Sequence, residues 1–331
     1  MTEKTKPIIN LYGCGGCGVN LVSGFNNIKN KNEDGFADIN PIFIDTSLSN
    51  ILDYKRDNKS YYIFEGLDGA GKKRNEHYDT IKERSLELIN KFKPSDLNII
   101  IHSASGGSGS VIGPVLINEL INKNATTIGI LVGSSDSKIE THNSINTLKS
   151  YESISRRLNH PIICSYQENT KDNQRIKVDI RVKTIISLLC LFFSGENKEL
   201  DTSDLRNFLN YSKVTDYEPR LCLLDFFNGN INIENDQNVI SAITLRDENS
   251  DYDLEHDIEY HAVGYINPSI GKDWVQSNIK LPIHGTIINN GFNKIITRLT
   301  NKLEAMQENR RAIVSKFIVS DEESNDSGLI F

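Results

Sequence analysis

The chain has 331 residues, more than one ordinary hydrophobic core holds, so a large domain with a smaller companion is expected. A net charge of −7 argues against a surface devoted to phosphate backbone, which takes a basic excess, and no direct nucleic-acid binding is expected. No run approaches the roughly 18 residues of a membrane span, MTEKTKPIIN lacks a signal-peptide core, and five scattered cysteines suit a reducing compartment, so the expected setting is the cytoplasm, away from membranes.

From the N-terminus, apolar β-branched runs alternate with stretches of helical period. Strands are predicted near 7–13, 40–46, 60–66, 97–105, 125–133 and 161–166, several of them apolar on both faces, as buried parallel strands are. The helical period is clear in EHYDTIKERSLELINKF, where Ile81, Leu86, Leu88, Ile89 and Phe92 make one stripe. Strand then helix, repeated, predicts a doubly wound α/β parallel sheet over residues 1–171. Residues 172–196 turn almost wholly apolar in their second half and read as a central buried helix. In DTSDLRNFL, Asp201 takes an N-cap position and Asp204 the capping-box position three residues on. RLCLLDFF, NVISAITLRD and EYHAVGYI then read as strands without long helices between them, a smaller α+β unit over 197–284. Ile288, Phe292, Ile295, Leu299, Leu303 and Met306 recur at helical spacing and predict a C-terminal helix over 285–317. The remainder, 318–331, is acidic through Asp321, Glu322, Glu323 and Asp326, with an apolar tip at Leu329, Ile330 and Phe331. Such a tail is either a solvated terminus or a charged peptide with an apolar anchor for a partner.

Ligands of a doubly wound sheet bind at the carboxyl ends of its strands, and there the loops are small and polar: GCGGCGVN, DTS, EGLDGAGKKR, SASGGSGS and GSSDSK. Gly13, Gly15 and Gly18 fit G-x-G-x-x-G, with Asp45 a distant candidate for the ribose carboxylate of a dinucleotide site. Cys14 and Cys17 fit C-x-x-C, but no second pair completes a four-thiolate metal site, and small buried loop residues are the plainer reading. Gly66, Gly71 and Lys72 match G-x-x-x-x-G-K, yet Lys73 stands where a P-loop needs Ser or Thr, so this loop reads as a flexible basic turn near phosphate. The second glycine loop, Ser103 to Ser110, opens a further helix whose free N–H groups suit an anion. Two such loops aimed at one crevice favour a phosphate cradle over a dinucleotide turn.

The run from Ser105 to Val111 resembles the G-G-G-T-G-[ST]-G signature of the tubulin and FtsZ superfamily of GTP-dependent filament proteins, with Ser105 for the first Gly, Ser108 for Thr and Val111 for the last Gly. That resemblance implies a nucleotide set of Gly13, Cys14, Gly15, Gly16, Asn20, Asp45, Thr46, Gly69, Ala70, Gly71, Ser105, Gly106, Gly107, Ser108, Gly109 and Ser110. Asp136 is counted with them, Glu140 takes the place of the ribose-binding Glu, and Asp179, with Asn169 or Gln167, the place of the guanine contacts. ELDTSDLRNFL is similar to the N-x-D-x-x-D-[VL]-R loop through which one FtsZ subunit completes its neighbour's site; Asp201 and Asp204 keep the carboxylates, while Glu199 replaces Asn.

The resemblance implies GTP, GDP and Mg²⁺ as ligands, hydrolysis activated by polymerisation, and the chain itself as partner. The terminal helix and acidic tail look most like the bacteriophage tubulins of the PhuZ type, which implies a tail docking on the next subunit and filaments that place phage DNA in host cytoplasm. A plasmid-partitioning tubulin, expected to carry a basic tail, and a nicotinamide-dependent oxidoreductase remain the alternatives.

Overall fold

A computed structural model describes residues 6–25, 36–51, 60–170, 173–234, 237–248, 257–267 and 282–323, with side chains up to Arg311. Strand β1 (Ile8–Cys14) runs straight into helix α1 (Gly15–Ser23), and β2 (Asp38–Asp45) and β3 (Tyr61–Ile63) come next. Short helices α2 (Tyr78–Glu83) and α3 (Ser85–Lys91) lead to β4 (Leu97–Ser103), α4 (Gly109–Asn122), β5 (Thr127–Ser134), α5 (Lys138–Leu158) and β6 (Ile162–Asn169). After α6 (Arg175–Phe192) and α7 (Thr202–Leu209) come β7 (Leu221–Asn228), β8 (Asn238–Arg246), β9 (Tyr260–Tyr265) and β10 (Ile283–Asn289), then the long α8 (Gly291–Glu323).

The strands form one sheet ordered β3-β2-β1-β4-β5-β6-β7-β10-β8-β9. From β3 through β7 neighbouring strands are parallel, while β10 is antiparallel to both β7 and β8. The smaller α+β unit therefore continues the first unit's sheet, joined where Ile162–Cys164 pairs with Leu221–Leu223. Alternation along the strands sends side chains into two apolar layers: Ile9, Leu11, Ile99, Ile101, Ile128 and Ile130 join α1 and α6 on one face. Tyr12, Ile100 and Leu131 join α4 and α5 on the other. Both faces are covered, which is why these strands are apolar throughout rather than alternating.

Two local differences from the sequence reading have physical causes. The helical stripe of residues 76–92 is broken at Arg84, whose backbone (φ −90°, ψ 2°) leaves the helix and separates α2 from α3. Residues 285–289, expected to open the C-terminal helix, belong to β10, and that helix begins at Gly291. Strand β10 lies inside the sheet with every residue buried, so its β-branched Ile and Thr pack between β7 and β8. Helix α8 continues to Glu323, placing Asp321, Glu322 and Glu323 on its last turns; Asp326, Leu329, Ile330 and Phe331 lie outside the described residues.

The end of α8 that packs along α5 is tied to the strand ends by polar contacts. Glu168 on β6, only 8% exposed at its side chain, accepts a hydrogen bond from Ser135 Oγ at 2.5 Å and pairs with Arg298, while Lys302 Nζ donates to Ser135 Oγ at 2.7 Å.

Candidate functional site

The sheet order reverses direction at β1, which lies between β2 and β4, so the crevice at its carboxyl edge is the switch point where a ligand is expected. There the two glycine loops abut. Gly15 has φ +70°, and a methyl placed on it would lie 2.7 Å from Gly109 N; one on Gly109 would lie 2.5 Å from the Cys14 carbonyl oxygen. Behind them Gly18 packs so closely on β4 that a methyl would meet the Ile101 oxygen at 2.1 Å. Glycine is required here because α1 and α4 start almost in contact.

Neither helix N-terminus is capped by a side chain: Cys14 and Ser108, at the two N-cap positions, make no such bond. By contrast Ser137 caps α5 and Asp201 caps α7. The first-turn N–H groups of α1 and α4 therefore point, with the positive ends of both helix dipoles, at the same crevice. That is the condition under which backbone amides bind phosphate or another anion.

The second loop supplies a carboxylate. Asp45 is buried and accepts hydrogen bonds from Thr46 N and Asn50 Nδ2, each at 2.7 Å. Burial raises its pKa above the ordinary aspartate value, and the bonds from Asn50, Thr46 and Ser47 offset part of that rise. Thr46 Oγ1 meets Ser108 Oγ at 2.7 Å, linking the second and fourth loops.

The third loop is held in backbone conformations that favour glycine: Gly66, Gly69, Gly71 and Lys72 all have positive φ. Its end is pinned to the fourth loop, since Asn143 Nδ2 donates to Lys72 O at 2.8 Å and to Ser105 O at 3.2 Å. Pro114 inside α4 leaves the Ser110 carbonyl without its helical donor, and Arg74 Nη2 fills that place at 3.1 Å. The G-x-x-x-x-G-K match leads into one short 3₁₀ turn (Arg74–His77) rather than a long helix, so this loop lacks the architecture of a P-loop.

Together the loops enclose a cavity of about 460 Å³, within the usual range for small-molecule sites. Of the residues expected at a nucleotide, Cys14, Gly15, Gly16, Asp45, Gly69, Ala70, Gly71, Ser105, Gly106, Gly107, Ser108, Gly109 and Glu140 line it. Gly13, Thr46 and Ser110 stand just behind this lining: Gly13 packs on Gly18, and Ser110 Oγ donates to Gly106 O and Gly107 O. Asn20 and Asp136 are exposed and Asn169 and Asp179 half-buried, all four outside the lining, although Asp179 lies near enough for its charge to act on the Cys17 thiol. The sequence reading missed Ser47, Ser49, Asn50 and Asp68 as lining residues, while Cys17, Lys72 and Ser103 lie in loops that it placed near phosphate.

Glu140 is already engaged. Its Oε1 takes Lys72 Nζ at 2.7 Å and its Oε2 takes the hydroxyls of Ser137 and Ser134 at 3.0 and 3.3 Å. Burial would raise this carboxyl, but the donors outweigh it and hold Glu140 below the ordinary glutamate value.

The cysteines are free thiols, and burial pushes Cys17 up to about 12 and Cys14 higher still, against the thiolate form. No group of three metal-ligating side chains occurs among the described residues. Mg²⁺ does not need one, because it is commonly held by one or two carboxylates together with substrate phosphates. Asp45 and Asp68 are the cavity-wall aspartates that suit that role.

Asp201 and Asp204 lie elsewhere. Helix α6 starts beside α1, where the charges of Asp179 and Arg175 act on Cys17, and its 18 residues rise about 27 Å before the chain reaches α7. There the two carboxylates form the capping box of α7: Asp201 Oδ1 accepts from Ser203 N and Asp204 N at 2.6 and 3.0 Å, and Asp204 Oδ2 accepts from Asp201 N at 3.0 Å. Tyr260 donates its hydroxyl to Asp204 Oδ1 at 3.1 Å. Asp201 is exposed and Asp204 half-buried, so both are accessible from outside the subunit.

Residues 8–170 match the family model described as "Tubulin/FtsZ family, GTPase domain". The whole chain aligns with the whole of a phage tubulin-like protein of Pseudomonas phage phiKZ, 25% identical over 349 positions. Among solved structures, a protofilament of TubZ from bacteriophage PhiKZ superposes with a TM-score of 0.78 at 23% identity, covering 98% of this chain and 95% of that one. The phage tubulin PhuZ bound to GDP superposes with a TM-score of 0.79 at 21% identity and the same coverage. At these identities the superpositions establish a shared fold.

Proposed function

The N-terminal half of the chain is a Tubulin/FtsZ GTPase domain, and on that premise we propose that the protein hydrolyses GTP between the subunits of a head-to-tail filament. The observation that carries this reading is the separation of the site into two parts. The phosphate cradle lies at one end of α6, and the carboxylates expected to orient water lie at the other, too far away to act on the same subunit's nucleotide. A second copy stacked end to end brings Asp201 and Asp204 to its neighbour's cavity.

Within this reading the amides opening α1 and α4 bind the phosphates and Glu140 binds the ribose. Asp179 and Asn169 are assigned to the base in the same reading, and Asp136 is counted with the nucleotide residues. Mg²⁺, held through Asp45 and Asp68, would offset charge on the phosphate oxygens. Phosphoryl transfer needs positioning and charge stabilisation more than a covalent nucleophile, and an aspartate that orients or deprotonates the water suffices. The Asp204 carboxylate, fixed by Tyr260 and the capping box, is already oriented, and Asp201 beside it is exposed.

The relatives named as phage tubulin-like proteins and as protofilaments support assembly of this chain into dynamic filaments. We further propose a role in positioning phage DNA in the host cytoplasm, with which the phage origin of these relatives is consistent. No described helix is long and apolar enough to cross a membrane. In the same reading Asp321, Glu322, Glu323 and Asp326 dock the acidic tail on the next subunit.

Electron microscopy with and without GTP, paired with phosphate release at increasing protein concentration, tests the proposal. GTP-dependent filaments and a turnover rate per subunit that rises with concentration are expected. Turnover that is constant per subunit over the same range, with no filaments, overturns it.

A further inference from the structure

We infer that Lys72 reads the terminal phosphate of the nucleotide, and that its ion pair with Glu140 is the resting position from which it is released. The inference rests on the GTP reading above and extends it to a specificity residue outside the first and fourth glycine loops. Among the described residues lining the cavity, Lys72 is the sole cation, against the carboxylates of Asp45, Asp68 and Glu140. A nucleoside triphosphate brings several negative charges into that acidic wall, and the two helix N-termini supply only about half a charge each.

The backbone of Lys72 is costly and fixed. Its φ of +65° is a left-handed conformation that side chains other than Gly, Asn and Asp seldom adopt. Asn143 holds its carbonyl at 2.8 Å, and a methyl added to Gly107 would lie 3.1 Å from its nitrogen, so the residue is wedged against the fourth glycine loop. Strain of this kind is kept where it aims a side chain. The side chain itself is half exposed and makes a single polar contact, with Glu140 Oε1.

Glu140 is the carboxylate expected at the ribose. A ribose hydroxyl that donates to Oε1 competes with Lys72 for that oxygen, because Oε2 already serves Ser134 and Ser137, and a nearby phosphate offers the ammonium a stronger acceptor to move to. The freed ammonium is anchored beside the amides of Gly106 to Gly109, on a flexible four-carbon stem suited to acting as a point charge on phosphate. A diphosphate lacks the third phosphate that Lys72 would contact, so Lys72 discriminates between the two nucleotides.

The test measures equilibrium binding of GDP and of a non-hydrolysable GTP analogue, both with Mg²⁺, to the full chain and to Lys72→Met, Lys72→Gly and Lys72→Arg. Removing the charge should weaken the analogue about tenfold, the contribution of one charge-assisted hydrogen bond, and leave GDP within about threefold. Lys72→Gly, which relieves the backbone conformation, should behave like Lys72→Met, and Lys72→Arg should recover most of the affinity. Equal weakening of both nucleotides, or an unchanged affinity for the analogue, overturns the inference while leaving the GTP site in place. A wild-type chain that binds neither nucleotide overturns the functional reading and this inference with it.

Discussion

Replacing Gly109 with alanine tests whether the contact between the two glycine loops holds the nucleotide. The added methyl would sit 2.5 Å from the Cys14 carbonyl oxygen, where an ordinary carbon–oxygen contact is about 3.3 Å or more, so the loops must part by roughly 0.8 Å. An amide hydrogen bond of about 2.9 Å lengthened by that much is no longer a hydrogen bond. Losing one bond to a charged group weakens binding by about 1.5–3 kcal/mol, or roughly 10- to 100-fold. Gly113→Ala on the same helix is the control: its methyl would meet the buried His102 ring at 2.3 Å, a packing clash away from the cavity lining. Both variants should lose about 1–3 kcal/mol of stability from overpacking. Only Gly109→Ala should lose the stabilisation by ligand. With GDP at about 100 times the wild-type dissociation constant, the wild type and Gly113→Ala gain about 2.7 kcal/mol, whereas a 30-fold weaker Gly109→Ala gains about 0.9 kcal/mol. Thermal melts with and without GDP read the difference directly. A full GDP-dependent rise in Gly109→Ala, or an equal loss in Gly113→Ala, would refute the cradle.

Asp204→Ala removes the back-bond to Asp201 N and the Tyr260 contact, at a cost of about 1 kcal/mol, and should leave nucleotide binding and assembly in place while slowing phosphate release and giving long static filaments. Phosphate release at the wild-type rate would remove this loop from the mechanism. Asp45 is raised by burial, so its protonated form favours folding: that stability is present at acid pH and is lost as pH rises through the folded value. Asp45→Asn should therefore melt above the wild type at pH 7, with the gap closing below about pH 4; a variant that melts lower at pH 7 contradicts the burial argument. Arg298→Met leaves the buried Glu168 without its cation. Because Arg298 is half exposed, the expected cost is only about 1–2 kcal/mol, and a double-mutant cycle with Glu168→Gln should recover a positive coupling where independent roles would give none.

Legibility in the sequence depends on where the determining contacts lie. The strands before residue 170, the short edge strand β3 apart, are legible because they are buried on both faces, so composition alone marks them. The glycine loops are legible because close backbone approach admits no other residue at Gly15, Gly18 or Gly109. Strand β10 is not: Ile288 happens to precede Phe292 by one helical repeat, and only the pairing with β7 and β8, more than forty residues away, makes the segment extended. The Lys72–Glu140 pair is hidden for the same reason, since 68 residues separate the partners and the loop backbone that joins them has an unusual conformation.

Asp201 and Asp204 are a harder case, because their spacing predicts a cap while the resemblance of their loop implies catalysis, and the structure gives full geometry to the first of these. In the capping box Asp201 Oδ1 takes both first-turn amides, and Asp204 Oδ2 takes the Asp201 amide while Oδ1 takes Tyr260. The cap engages Asp201 through Oδ1 and leaves Oδ2, on an exposed residue, outside it, so capping and water orientation do not compete for the same atom. The cap fixes the carboxylate at a helix start, and the length of α6, about 27 Å, lies between that start and the end of α6 that meets α1. On the proposed reading, an oriented carboxylate at the far end of α6 from the cradle acts on GTP only across a subunit contact, and the rate of hydrolysis then measures assembly.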